Sequence, residues 1–145
     1  MRSLILILGD IHNCLKIICE VESNALDSSL IGLFKKKDFS GNDQKLFIVK
    51  EKLEALSSEL IRYKSNKQIA VTIALDAAHY LRALYETGAE LSNLNSKLQE
   101  KASGGQYSLA EYNQDLARFH KCQEKYLSLG DILNTKYQLH AAELI

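Results

Sequence analysis

The sequence predicts an all-α protein: an elongated antiparallel helical bundle, or coiled-coil hairpin, of about four helices. Three observations lead there. None of the 145 residues is proline, the residue that most strongly breaks helix interiors, so long helices meet no obstruction. Apolar residues recur in alternating steps of three and four over most of the chain, the spacing that holds one helix face against a neighbour. Finally, Ser103-Gly-Gly-Gln-Tyr-Ser108 reads as a helix stop followed at once by a helix start. Gly104 or Gly105 takes the left-handed conformation that closes a helix, Ser108 and Glu111 form a capping box, and Tyr107 and Tyr112 fit its hydrophobic staple.

Length and charge narrow the function classes. The chain can bury enough core to stand as one all-α domain over residues 1–145 without disulfide or metal. Eighteen basic and eighteen acidic residues cancel, which removes the electrostatic footprint of a nucleic-acid binder or a polybasic membrane module. Cys14, Cys19 and Cys122 are odd in number and share no repeated close spacing, which predicts free thiols in a reducing compartment. The apolar run Leu4 to Leu8 is cut by Asp10 and His12 far short of the ~20 residues that span a bilayer. It also lacks the cleavage site of a secretory signal, and Arg2 is its only positive residue. The expected setting is therefore cytoplasmic, with no membrane span and no nucleic acid.

Taken in order, residues 1–22 supply an N-terminal helix, with Leu4, Leu8, Ile11, Leu15 and Ile18 as its heptad face. Ile5, Leu6, Ile7, Cys14, Ile17 and Cys19 make it apolar nearly all round, which predicts a central position covered by other helices. Residues 23–42 form an irregular connector, since Ser28, Ser29, Gly32, Ser40 and Gly41 interrupt the periodicity around the apolar island Leu30 to Phe34. Lys35, Lys36 and Lys37 read as a solvated turn. Residues 43–145 carry the long helices. Leu46, Val49, Leu53, Leu56, Leu60 and Tyr63 are the strongest heptad run, and Ser65 with Gln68 reads as a second capping box, which favours a break or bend there over the alternative of one continuous helix. Ala70, Ala74, Ala77, Leu81, Leu84, Leu91 and Leu98 continue the register to the turn at 103–108. Beyond it Leu109, Tyr112, Leu116, Phe119, Tyr126, Leu133, Tyr137 and Leu144 face back along the preceding helix. Gly130, with Ser128 and Asp131 able to recap, predicts a kink.

Three constellations invite a chemical reading. The run Leu4-Ile-Leu-Ile-Leu-Gly-Asp-Ile-His-Asn13 resembles the first motif of calcineurin-like metallophosphoesterases, a hydrophobic strand ending in Asp-x-His. That resemblance implies a metal site at Asp10 and His12, but the chain has no Gly-Asn-His or Gly-His-x-His partner motif. On a helix, positions two apart diverge by ~200° and cannot share a metal. Asp76-Ala-Ala-His79 has the spacing used by carboxylate-bridged di-iron bundles, and His140-Ala-Ala-Glu143 reverses it, yet the heptad register puts His79 farthest from the seam. The repeated His-x-Cys of His12-Asn-Cys14 and His120-Lys-Cys122 lacks the ligand spacing of structural zinc sites.

With no residue set that performs bond chemistry, no catalytic, cofactor-binding or metal residue is assigned. The expected function is a non-catalytic helical protein–protein interaction module: a scaffold, tether or assembly subunit. Length and a long helical hairpin also resemble the small helical chaperones of flagellar and type III export, which implies the alternative of holding an amphipathic client helix. A metal-dependent phosphoesterase-like or di-iron enzyme is the competing class. Ile69, Ile73 and Tyr80 form a second apolar stripe beside the seam, and Leu127, Leu129, Ile132 and Leu139 lie off the seam of the last helix. The predicted surface for self-association or a helical partner is Ile69, Ile73, Ile132 and Leu139.

Overall fold

The computed structural model describes residues 2–26 and 37–144. Those residues form four α-helices: α1 (Leu4–Leu26), α2 (Phe39–Arg62), α3 (Gln68–Ala102) and α4 (Leu109–His140), the last continued by a 3-10 turn at Ala141–Leu144. The all-α bundle expected from the heptads is what the chain builds. Each helix runs antiparallel to the one before it, because cross-links between neighbours descend one helix as they climb the other. Arg2 meets Glu59 while Glu20 meets Lys45. Glu54 meets Tyr85 while Asn42 meets Asn95, and Asp76 meets Lys136 while Asp115 meets Lys97.

The central helix is α3, not the N-terminal one. It packs closely on α2 and α4 and also touches α1, and it buries Ala70, Ile73, Ala74, Ala77, Leu81, Ala83, Leu84, Leu91 and Leu94. Small alanines at its first turns let neighbouring helices approach, which is why one helix can serve several seams. Ile73, expected at a partner surface, is wholly buried. The second apolar stripe of α3 is consumed inside the bundle, so Ile73 is core and Ile69 is half-buried against it.

Helix α1 extends past Glu22 to Leu26, and its core face is Leu4, Ile7, Ile11, Cys14, Ile18, Val21 and Ala25. This face also follows steps of three and four, rotated from the expected one. Leu8 and Leu15 consequently fall on a half-buried flank, and Leu6 remains 58% exposed. The Lys37 ammonium donates to the Ala25 carbonyl at 2.7 Å, while Lys35, Lys36 and residues 28–34 lie outside the described residues. Helix α2 begins at Phe39, inside the stretch expected to be connector and ahead of the expected start at residue 43, because Asp38 is its N-cap and accepts from the Gly41 N–H at 2.9 Å. Buried Asn42 then donates to the Asn95 side chain at 3.1 Å, and Asn95 donates to the Phe39 carbonyl and to Asp43. Every buried polar arm there finds a partner, which pins the register of α2 on α3.

The chain breaks between α2 and α3 at residues 63–67, near the expected position but without the capping box. Lys67 is the N-cap residue and makes no side-chain cap bond, while Ser65 accepts from the Lys67 N–H. At Gly130 the helix runs through without interruption, so no recapping occurs there.

The α3–α4 turn follows its sequence closely. Gly104 has φ +92°, and a Cβ at Gly105 would stand 2.8 Å from the Glu100 carbonyl oxygen, so each glycine is required for a different reason. Ser108 accepts from the Glu111 N–H at 3.1 Å and its hydroxyl donates to the Glu111 carboxylate at 3.1 Å. Tyr107 and Tyr112 stack edge to face at 6.2 Å. Behind the turn, Asp115 is 2% exposed and accepts from the Tyr107 hydroxyl at 2.6 Å, from Lys97 at 2.9 Å and from Arg118. The hairpin is therefore locked by one buried carboxylate shared between both arms.

Candidate interaction groove

Three of the four seams of this bundle are closed. The fourth, between α1 and α4, is not: these helices are held by their other neighbours and do not pack extensively on each other. They meet at one end, where Gln123 donates to both oxygens of Glu22 at 3.0 and 3.1 Å and Cys19 lies against the Tyr126 hydroxyl. From there toward Ile5 and Tyr137 they leave a groove of about 600 Å³.

Each wall is the uncovered flank of an amphipathic helix. On α1 it is Ile5, Leu8, Gly9, His12 and Leu15, and on α4 Leu127, Gly130, Asp131, Asn134 and Tyr137, with Ile11, Tyr80, Tyr126 and Leu133 beneath. The ten residue steps of α1 from Ile5 to Leu15 rise ~15 Å, close to three helical turns. The floor is aromatic. Tyr80 and Tyr126 meet edge to face at 6.3 Å, and a Cβ at Gly130 would stand 3.1 Å from the Tyr80 ring. The missing side chain at Gly130 is what admits Tyr80, so this glycine is a packing residue. Burial pushes the Tyr80 hydroxyl up to about 12, with Tyr126 adding to the shift. Burial raises Tyr126 as well, and both phenols stay neutral donors at physiological pH.

Gly9 is different. A Cβ added there meets nothing within 4 Å, and its φ is not in the left-handed region. In the middle of a helix glycine costs about 1 kcal/mol against alanine. The fold recovers none of that cost, since no neighbour needs the space. The space above Gly9 is the groove itself.

No family model, curated protein or solved structure matches this chain. The groove is therefore read from its own chemistry. Its walls suit the apolar ridge of a helix, and its rims carry charge. Lys16 falls on the same α1 stripe as Ile5, Gly9 and His12, spaced four, three and four apart. Asp131 and Glu124, seven apart, share one stripe of α4. Among the described residues Lys16, Glu124 and Asp131 make no side-chain hydrogen bond or ion pair.

The sequence-derived candidates are placed as follows. Ile132 and Leu139 are 50% and 72% exposed, but helical spacing puts them on the flank of α4 opposite the groove. Ile73 is core, so the expected four-residue surface is not one contiguous face. Asp10 belongs to a helix and pairs with Arg2 at 2.6 Å, and His12 stands on the groove wall. Asp76 pairs with Lys136 at 2.6 Å, His79 is exposed, and His140 meets Glu143 at 3.0 Å. Among the described residues no three His, Cys, Asp or Glu side chains converge as metal ligands, and no helix is long and apolar enough to cross a membrane. Cys14, Cys19 and Cys122 are free thiols, each held above the ordinary cysteine range by burial.

Sequence reasoning missed the groove, though two signals pointed to it. The first is an N-terminal helix more apolar than one core face requires. The second is a mid-helix glycine that no turn explains.

Proposed function

We propose that this chain is a non-catalytic helical interaction module, an assembly subunit or tether whose α1–α4 groove receives a helix and so completes the bundle. The observation that carries this reading is the open fourth seam: an apolar trough of three helical turns, walled by two parallel ridges. Helix-in-groove recognition uses that shape, with anchors spaced three and four apart on the incoming helix. An apolar trough of this volume is also the default position for a binding site on a single domain. A scaffold that docks a partner and a chaperone that holds a client helix would use the groove in the same way.

The test is photo-crosslinking from within the groove in the cells that make the protein. A benzoylphenylalanine at Leu127, on the α4 rim, is expected to give discrete polypeptide adducts. The same group at Arg82, an exposed position on α3 outside the groove, serves as control. Adducts equal in yield at both positions, or none at Leu127, would remove the groove as the interaction site.

A further inference from the structure

We propose that the α1–α4 groove is closed by a second copy of this chain, docked about a two-fold axis parallel to the groove so that α1 of each copy lies against α4 of the other, groove facing groove, in place of a single inserted helix. The inference rests on the groove being the interaction site, and it adds which partner fills it and in what geometry. Three observations meet.

The first is charge. Lys16 stands on one rim and Asp131 with Glu124 on the other, and none of the three is satisfied within its own chain among the described residues. Glu22 opposes Gln123 and Cys19 opposes Tyr126, so α1 and α4 run antiparallel, three residues along one matching three along the other. Carried on at that pitch, Asp131 stands level with Cys14. Lys16 is then only ~3 Å from it along the axis. The rims are thus of opposite sign at the same height, although the width of the groove separates them.

The second is symmetry. A two-fold axis along the groove brings each α1 over the other copy's α4 at an unchanged level, so Lys16 of each copy meets Asp131 of the other. An axis across the groove would instead set α1 on α1 and α4 on α4, like charge on like. An isologous interface requires a self-complementary surface, and only the first operation finds one here.

The third is Gly9. It lies on the Ile5–Lys16 stripe, the face of α1 that meets α4 of the other copy in such a dimer. Its missing side chain, unused within one chain, allows the backbones to approach. Leu127, 56% exposed in the single chain, is covered in the same arrangement.

The experiment is sedimentation velocity of the full chain from 1 to 100 µM, with two charge reversals at exposed positions. Wild type is expected to be dimeric at tens of micromolar. Asp131→Lys and Lys16→Glu, each placing like charges across both symmetric contacts, should each weaken dimerisation at least tenfold. An equimolar mixture of the two variants should recover a dimer, because in the mixed pair both contacts are again between opposite charges. Gly9→Ala should raise the melting temperature of the chain by about 2–4 °C through helix propensity while weakening the dimer, a combination that a merely structural glycine does not give. A wild type monomeric at 100 µM, a dimer indifferent to both reversals, or a mixture that stays monomeric would each overturn the proposal. If Leu127 crosslinks only to a polypeptide other than this one, the groove stands as an interaction site and the second copy falls.

Discussion

Replacing Asp115 by alanine is expected to destabilise the protein by about 2–3 kcal/mol, and the geometry of the α3–α4 hairpin fixes that range. Asp115 is 2% exposed, and its carboxylate holds a phenol hydroxyl at 2.6 Å and an ammonium at 2.9 Å together with the Arg118 guanidinium. A fully buried ion pair broken on one side costs about 3–5 kcal/mol, since the surviving charge is stranded away from water. Here the survivors are not stranded: the Lys97 and Arg118 side chains are 37% and 52% exposed. Their charges rehydrate when the carboxylate goes. What remains is the loss of hydrogen bonds to a charged group, about 1.5–3 kcal/mol, and an orphaned Tyr107 hydroxyl in a buried position. At about 3–4 °C per kcal/mol for a chain of this size, the melting temperature should fall by about 6–12 °C. Thermal unfolding followed by circular dichroism reads this directly, with Asn113→Ala, exposed on the same helix, as control. Tyr107→Phe should cost less than Asp115→Ala, and the double variant less than the sum, because the two groups satisfy one another. A fall under 2 °C for Asp115→Ala, or strict additivity with Tyr107→Phe, would refute the view that this carboxylate locks the hairpin.

Two further outcomes follow from local geometry. Ser108→Ala removes the acceptor for the Glu111 N–H and should cost about 1 kcal/mol; a shift no larger than that of Ser96→Ala, exposed in the middle of α3, would mean that the cap contributes nothing. Stability should decline from about pH 9 toward pH 12: the three thiols that burial raises from 9.0 begin the loss, and Tyr80, which ionises at 10.0 when unfolded and only at about 12 in the bundle, extends it, since the unfolded chain loses each proton first and is favoured as pH rises. Urea midpoints at pH 9 and pH 11.5 measure the decline. Tyr80→Phe should make it shallower, and an unchanged slope in that variant would show that the buried phenol is not its source.

The primary sequence determined the helices and their ends where local chemistry governs. Without proline, and with apolar residues every three or four positions, α2 had one credible core face, and Leu46, Val49, Leu53, Leu56 and Leu60 are all buried. The turn at 103–108 was equally legible, because a left-handed glycine, a serine cap and a tyrosine staple act within a few residues of one another. Where two apolar registers coexisted, the sequence was ambiguous. In α1 both the Leu4–Leu8–Ile11–Leu15 face and the Leu4–Ile7–Ile11–Cys14 face obey the same spacing, and only the position of α2 and α3 chose the second. The same choice buried Ile73 and left Leu8 and Leu15 beside the groove. Asp115 gave no sign of its role, since a single acidic residue on a polar stretch of helix becomes a buried acceptor only when Lys97 arrives from the other arm and Tyr107 reaches back from the turn. The groove was the least legible feature, because it is a gap between helices that neither local propensity nor periodicity encodes. Tertiary packing decided it by closing three seams of the bundle and leaving the fourth open above Gly9.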